Sequence, residues 1–154
     1  MKVLAITFFC VLIAGPVRGI SRPVHSRDVT WIKFDEFEQL STKDQNERLR
    51  NFIIVLRSWK TAVATIVAFG GKTSCPNEAV MRASRVRRYL IDVGGLDPSR
   101  IKIVDAGYQQ QWRISLYLAP AGIAPITAES MSYERPLRRD EIEMRHSCRE
   151  LRRK

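Results

Sequence analysis

The chain has few of the residues on which most catalysis and metal binding depend. It contains two histidines, His25 and His146, and three cysteines, Cys10, Cys75 and Cys148. Both histidines lie in polar stretches near the ends, with no Ser or Cys that they would readily orient as a nucleophile. The cysteines and histidines show no metal-ligand spacing. Asp35 with Glu36 and Glu38 falls at a strand end, and Glu141 with Glu143 in a charged C-terminal stretch, so neither group reads as an acid–base pair across a cleft. Gly71-Lys72-Thr73 ends like a phosphate-binding loop, but Ile66 stands where that loop needs its first glycine. These absences point to a non-catalytic protein without metal or cofactor.

Long apolar runs are missing too. None reaches the roughly 18–20 residues of a membrane span. The longest, Val3 to Ala14, follows Lys2 and is broken by Gly15 and Pro16; Val17 and Gly19 then fit the small-residue pattern of a cleavage site. Residues 1–19 therefore read as a secretory signal peptide, the other reading being a short buried helix or a retained anchor. Cys10 lies inside the apolar stretch, which argues against a lipoprotein signal. Export leaves Cys75 and Cys148 in an oxidising compartment, where they form either a disulfide or two unpaired thiols.

Acidic residues are outnumbered, 16 against 26 Lys and Arg, for a net charge of +10 in 154 residues. Such a balance brings nucleic acid to mind, but export conflicts with it, and no aromatic pattern accompanies Arg82, Arg85, Arg87 and Arg88. An exported protein instead meets other polyanions, anionic polymers of the cell wall and anionic lipid surfaces; the other reading is charge that serves solubility alone.

One small α/β domain is expected over residues 30–119, after a flexible lead-in at 20–29. TWIKFDEF at 30–37 has the composition of a strand. Thr42 and Gln45 have capping-box spacing before a helix at about 43–58, whose stripe is Leu49, Phe52, Ile53 and Leu56. AVATIVAF at 62–69 is apolar on both faces, as in a central strand. Gly70-Gly71 ends it, and a second helix at about 76–92 buries Ala79, Ala83, Val86 and Leu90 before Gly94-Gly95. A strand at 100–107, a polar connector of three glutamines at 109–111 and a strand at 112–118 complete the order β-α-β-α-β-β. It predicts a mostly parallel sheet with the last two strands as a hairpin. Residues 120–154 read as a basic, Arg-rich tail without a sustained apolar stripe, expected to be disordered.

Residues 81–108 carry a distinctive set of landmarks: Arg82-Ala83, Tyr89-Leu90, Gly94-Gly95, Ser99-Arg100-Ile101 and Gly107-Tyr108. With Phe34-Asp35-Glu36-Phe37 upstream, the stretch from about 30 to 118 resembles the OmpA-like domain of bacterial envelope proteins. The resemblance implies an α+β sandwich and a peptidoglycan anchor in the periplasm or cell envelope. In that family an Asp after the second strand and an Arg on the second helix hold the ammonium and carboxylate of diaminopimelate; Arg grips a carboxylate through two parallel bonds. Arg82 falls on the family's Arg, with Asn77 and Arg113 as remnants of neighbouring motifs. The Asp has no counterpart, and Lys72 lies near its place. For Arg82 the competing reading is a solvated helix arginine. For the protein, it is a structural or protein-interaction module, with an envelope protein as partner, that keeps the fold and has lost the wall ligand.

Overall fold

A computed structural model of the protein describes residues 31–124, 126–131, 136–143 and 148. The expected signal peptide, the whole lead-in and both histidines lie outside the described residues. Six elements make the domain: β1 (Ile32–Phe37), α1 (Thr42–Ser58), β2 (Ala62–Gly71), α2 (Glu78–Asp92), β3 (Ile101–Gln109) and β4 (Arg113–Pro120), with short 3-10 turns at Pro98–Arg100, Glu129–Met131 and Arg139–Glu141. The result is an α/β fold, a four-stranded mixed sheet with two helices packed on it.

Helix α1 starts one residue from the sequence expectation. Ser41, not Thr42, is the N-cap: its Oγ accepts from the Asp44 amide at 3.2 Å and donates to the Asp44 carboxylate at 2.7 Å. Two adjacent hydroxyls offered two frames, and the Ser41 frame puts Asp44 at the third helical position, where its amide and its carboxylate both meet the cap hydroxyl. Leu49, Phe52, Ile53 and Leu56 are buried as the periodicity required. In α2, Ala79, Ala83, Val86 and Leu90 form the matching stripe. Gly94 ends α2 under close constraint, since a Cβ there would collide with the Leu90 carbonyl oxygen; Gly95 follows in the left-handed region, φ 59°.

Two arginines hold the helix ends, one to the sheet and one to the other helix. Arg100 donates to the carbonyls of Leu56, Trp59 and Ala62, each at 2.9 Å, satisfying groups that the end of α1 leaves without helical partners. Arg57 donates twice to the Gly94 carbonyl, at 3.0 and 2.7 Å. Part of the basic excess is thus structural.

The strand order is β1-β4-β2-β3, which corrects two expectations. Strand β4 forms no hairpin with β3; it lies between β1 and β2, antiparallel to both. Only β2 and β3 pair in parallel. The reason is burial: every residue from Ile114 to Ala119 is buried, so β4 is apolar enough on both faces for the centre of the sheet. The alternation of Trp112, Ile114, Leu116 and Leu118 against Arg113, Ser115 and Tyr117 therefore separates two covered faces, not a core from solvent.

Both helices cover one face, over Ala64, Ile66, Ala68, Ile114, Leu116 and Leu118. On the other face Val67, Phe69, Ala106 and Tyr117 are covered by Ile126 and Met131, with Trp31 beside them. Trp31 Nε1 donates to the Ala124 carbonyl at 2.9 Å. Ile126 and Met131, in the segment read from sequence as a disordered tail, are thus packed against the sheet. A sheet apolar on both faces needs a second cover, and two residues, Ile126 and Met131, supply it without any periodic pattern. Cys75 and Cys148 are joined as a disulfide, Cα–Cα 5.4 Å, over 73 residues of sequence.

Candidate functional site

One opening lies where the β2–α2 loop, the start of α2 and the β3–β4 connection converge. It is a cleft of about 650 Å³ whose walls include Glu38, Ser74, Glu78, Arg82, Gln111 and Trp112. Its shape depends on two glycines within β2 itself. A Cβ at Gly71 would lie 2.9 Å from the Trp112 backbone nitrogen, and one at Gly70 would lie 2.8 Å from the Tyr108 ring. The pair that reads as a strand terminator is required because the 108–112 backbone and ring pass directly over the strand.

The loop after Gly71 folds on itself. The Gly71 amide donates to Ser74 Oγ at 2.8 Å and the Ser74 amide returns a bond to the Gly71 carbonyl at 2.9 Å. The Cys75 amide donates to Glu78 Oε2 at 3.0 Å, while Glu78 Oε1 accepts from Arg82 Nε at 3.1 Å and Nη2 at 2.5 Å. The Arg82 guanidinium lies over the Trp112 ring, 4.1 Å from its centroid. Burial of the Glu78 carboxyl pushes its pKa up, but the bonds from Arg82 and the Cys75 amide outweigh this and hold it below its ordinary value. A continuous line of contacts runs from the disulfide through Cys75 and Glu78 to Arg82 and Trp112.

Of the three ligand residues expected from the sequence, the structure places only Arg82 in this cleft. Asn77 is exposed just before α2 in the left-handed region, φ 64°, without a side-chain cap bond, and does not line the cleft. Its role is the tight turn into the helix, which Asn tolerates better than most residues. Arg113 points to the other side of the sheet. Its guanidinium lies 4.8 Å from the Phe69 ring centroid, and its Nε is 3.2 Å from Glu36 Oε2. Adjacent strand residues face opposite ways, so Trp112 can join Arg82 and Arg113 cannot. Glu36 also accepts from Ser115 Oγ at 2.8 Å and pairs with Lys33 at 2.7 Å. Burial raises its pKa, and these partners together lower it below the ordinary value.

No protein family model matches the chain, and no curated protein matches it.

Sequence reasoning missed the other walls of the cleft. Glu78 was legible as the i,i+4 partner of Arg82. Glu38, Gln110, Gln111 and Trp112 become neighbours of Arg82 only through the strand order. Lys72 takes no part, because it pairs with Glu143 at 2.7 Å and its carbonyl accepts from the Glu143 amide at 2.9 Å. Among the described residues, no group of three or more His, Cys, Asp and Glu forms a metal-binding cluster, and no helix is long and apolar enough to cross a membrane.

Proposed function

We propose that this is an exported, non-catalytic domain of the cell envelope, related to the OmpA-like domains, that takes a strand of peptidoglycan or another anionic wall polymer in the cleft beside Arg82. The observation that carries this reading is the arrangement of Arg82. Its guanidinium is at the wall of an open cleft, oriented from one side by Glu78 and from below by Trp112, with its side chain still about one-third accessible. A guanidinium held in this way is preorganised for a carboxylate. The glutamine, threonine and serine side chains around it offer donors and acceptors suited to a peptide or sugar. The β-α-β-α-β-β order and the disulfide agree with such a domain and with an oxidising compartment.

A second reading is favoured by one specific feature. Glu78 already occupies the Nε–Nη2 edge of the guanidinium, one of the two edges that a bidentate ligand carboxylate could use. If that bond persists, the domain is a structural or protein-interaction module that keeps the fold without the wall ligand.

Co-sedimentation with purified sacculi separates the two, using the protein from Ile20 onward, Arg82→Ala, and a chain ending at Cys148. The wall-binding reading expects binding that survives high salt, persists without residues 149–154, and falls about tenfold or more in Arg82→Ala, as for loss of a charge-assisted bond. Binding that disappears with salt or with the terminal residues leaves only charge attraction, and absence of binding supports the interaction module.

A further inference from the structure

Strand β3 is the last in the order β1-β4-β2-β3 and pairs only with β2. Its outer edge therefore carries a row of backbone donors and acceptors that the sheet does not use. Two contacts mark the ends of that row. At one end Arg87 Nε donates to the Ile101 carbonyl at 3.4 Å, and at the other the Leu137 amide donates to the Tyr108 carbonyl at 2.6 Å. Between them, from Lys102 to Gly107, no other backbone segment among the described residues bonds to this edge. The Leu137 contact places a backbone donor against the end of this edge.

Beside this edge runs a groove of about 440 Å³ between α2 and β3, which shares no residue with the Arg82 cleft. Its floor is apolar, from Ile91 and Ile103, both packed against the core. Its rim is basic. Arg88 and Lys102 are exposed, and neither has an ion-pair partner among the described residues; Arg87 spends its guanidinium on carbonyl oxygens. Asp92 is the one acid in the groove lining, and Asp105 on the strand itself has its carboxylate on the Gly107 amide at 3.0 Å. A single lysine on an edge strand is the usual guard against unwanted pairing. Here a second cation on the neighbouring helix and an apolar floor accompany it, which is the composition of a seat, not of a guard alone.

We infer that the β3 edge and the α2–β3 groove form a docking surface for an extended acidic segment of a partner protein, added as a fifth strand. Backbone bonds to the outward-facing groups of residues 102–106 supply the register; the Gly107 amide is held by Asp105 Oδ1 at 3.0 Å. Alternate side chains of the added strand then face the helix side, over Ile103 and Ile91 near Arg88, and the opposite side, beside Lys102. Acidic residues in that strand meet Arg88 and Lys102, and charge complementarity sets the preference for acidic over basic segments. This surface stands apart from the wall-polymer reading and holds or fails independently of it.

The test is backbone amide hydrogen exchange of the protein from Ile20 onward, with a synthetic peptide of alternating Glu and Val, a Lys-Val peptide as control, and anionic lipid vesicles in a separate arm. The expected result is slowed exchange confined to the outward-facing amides of 102–106 with the Glu-Val peptide and none with the control. Lys102→Glu and Arg88→Glu should each weaken binding about tenfold, the scale of a lost charge-assisted contact, with unchanged circular dichroism. Equal binding of both peptides, the absence of β3 protection, or indifference to both charge reversals overturns the proposal. Vesicle binding through Arg88 and Lys102 without protection of β3 by the peptide also overturns it, in favour of a membrane surface.

Discussion

Glu78 holds Arg82, and the state of its carboxyl decides whether the guanidinium stays oriented. The pKa of Glu78 is lowered from its ordinary 4.5 by Arg82 and the Cys75 amide, against the opposing effect of burial. A carboxyl lowered in the folded protein adds stability that is present above 4.5 and lost as pH falls through the folded value. Glu36 acts in the same sense through Lys33, Ser115 and Arg113. Urea midpoints measured across the acid range should therefore fall below about pH 4.5. Glu78→Gln should flatten part of that fall and leave the Glu36 part. A slope unchanged in Glu78→Gln would mean that the pair does not contribute. Steric fit acts at the same scale. A methyl at Gly94 would collide with the Leu90 carbonyl and with Ile53, so Gly94→Ala should cost about 1–3 kcal/mol, as for overpacking in a closed site. Gly95→Ala should cost about 1 kcal/mol, the left-handed backbone penalty alone. Equal urea midpoints for Gly94→Ala and the parent would contradict the close approach of Ile53 and the Leu90 carbonyl to that turn.

At the scale of elements, the helices were the most legible part of the sequence, because their apolar stripes are local. Leu49 through Leu56 and Ala79 through Leu90 repeat at helical spacing and are buried accordingly. The start of α1 was legible to within one residue. Ser41→Ala should cost about 1 kcal/mol as a lost N-cap, whereas Thr42→Ala should change stability by no more than about 0.5 kcal/mol; the reverse ranking in thermal melts would restore the Thr42 frame. The strands were legible as strands and not as neighbours. Pairing is non-local, and nothing near residues 109–112 distinguishes a hairpin from a crossing that inserts β4 between β1 and β2. The clue was present in the covered composition of Ile114–Ala119. The candidate site suffered for the same reason. Arg82 is visible from its own helix, whereas Trp112 and Glu38 depend on strand order, and Arg113 turns out to face the other side of the sheet.

At the scale of the whole molecule, several of the described residues after Pro120 pack on or bond to the domain. Ile126 and Met131 close the second face, Leu137 bonds to Tyr108, Glu143 pairs with Lys72 and Cys148 is tied to Cys75. Composition alone masked this, because a few apolar residues among many charges carry no period. A loop of this length places the entropic worth of the disulfide at about 4 kcal/mol, an upper estimate. Cys148→Ser should therefore lower the urea midpoint strongly in the absence of reductant, and reductant should lower the parent to a similar value; a midpoint unaffected by either would show that the bridge does not stabilise the folded state. A chain ending at Ala119 should be less stable still, since it also uncovers Val67, Phe69 and Tyr117.

Whether the Arg82 cleft receives a wall polymer is tested most directly by a residue-resolved titration with soluble peptidoglycan fragments. Amide and side-chain resonances of the protein from Ile20 onward would be followed as the fragments are added. A wall-binding cleft predicts saturable shifts at Ser74, Arg82, Gln111 and Trp112, insensitive to high salt and lost in Arg82→Ala. Shifts spread over the exposed basic residues and abolished by salt, or none in the cleft, would contradict it.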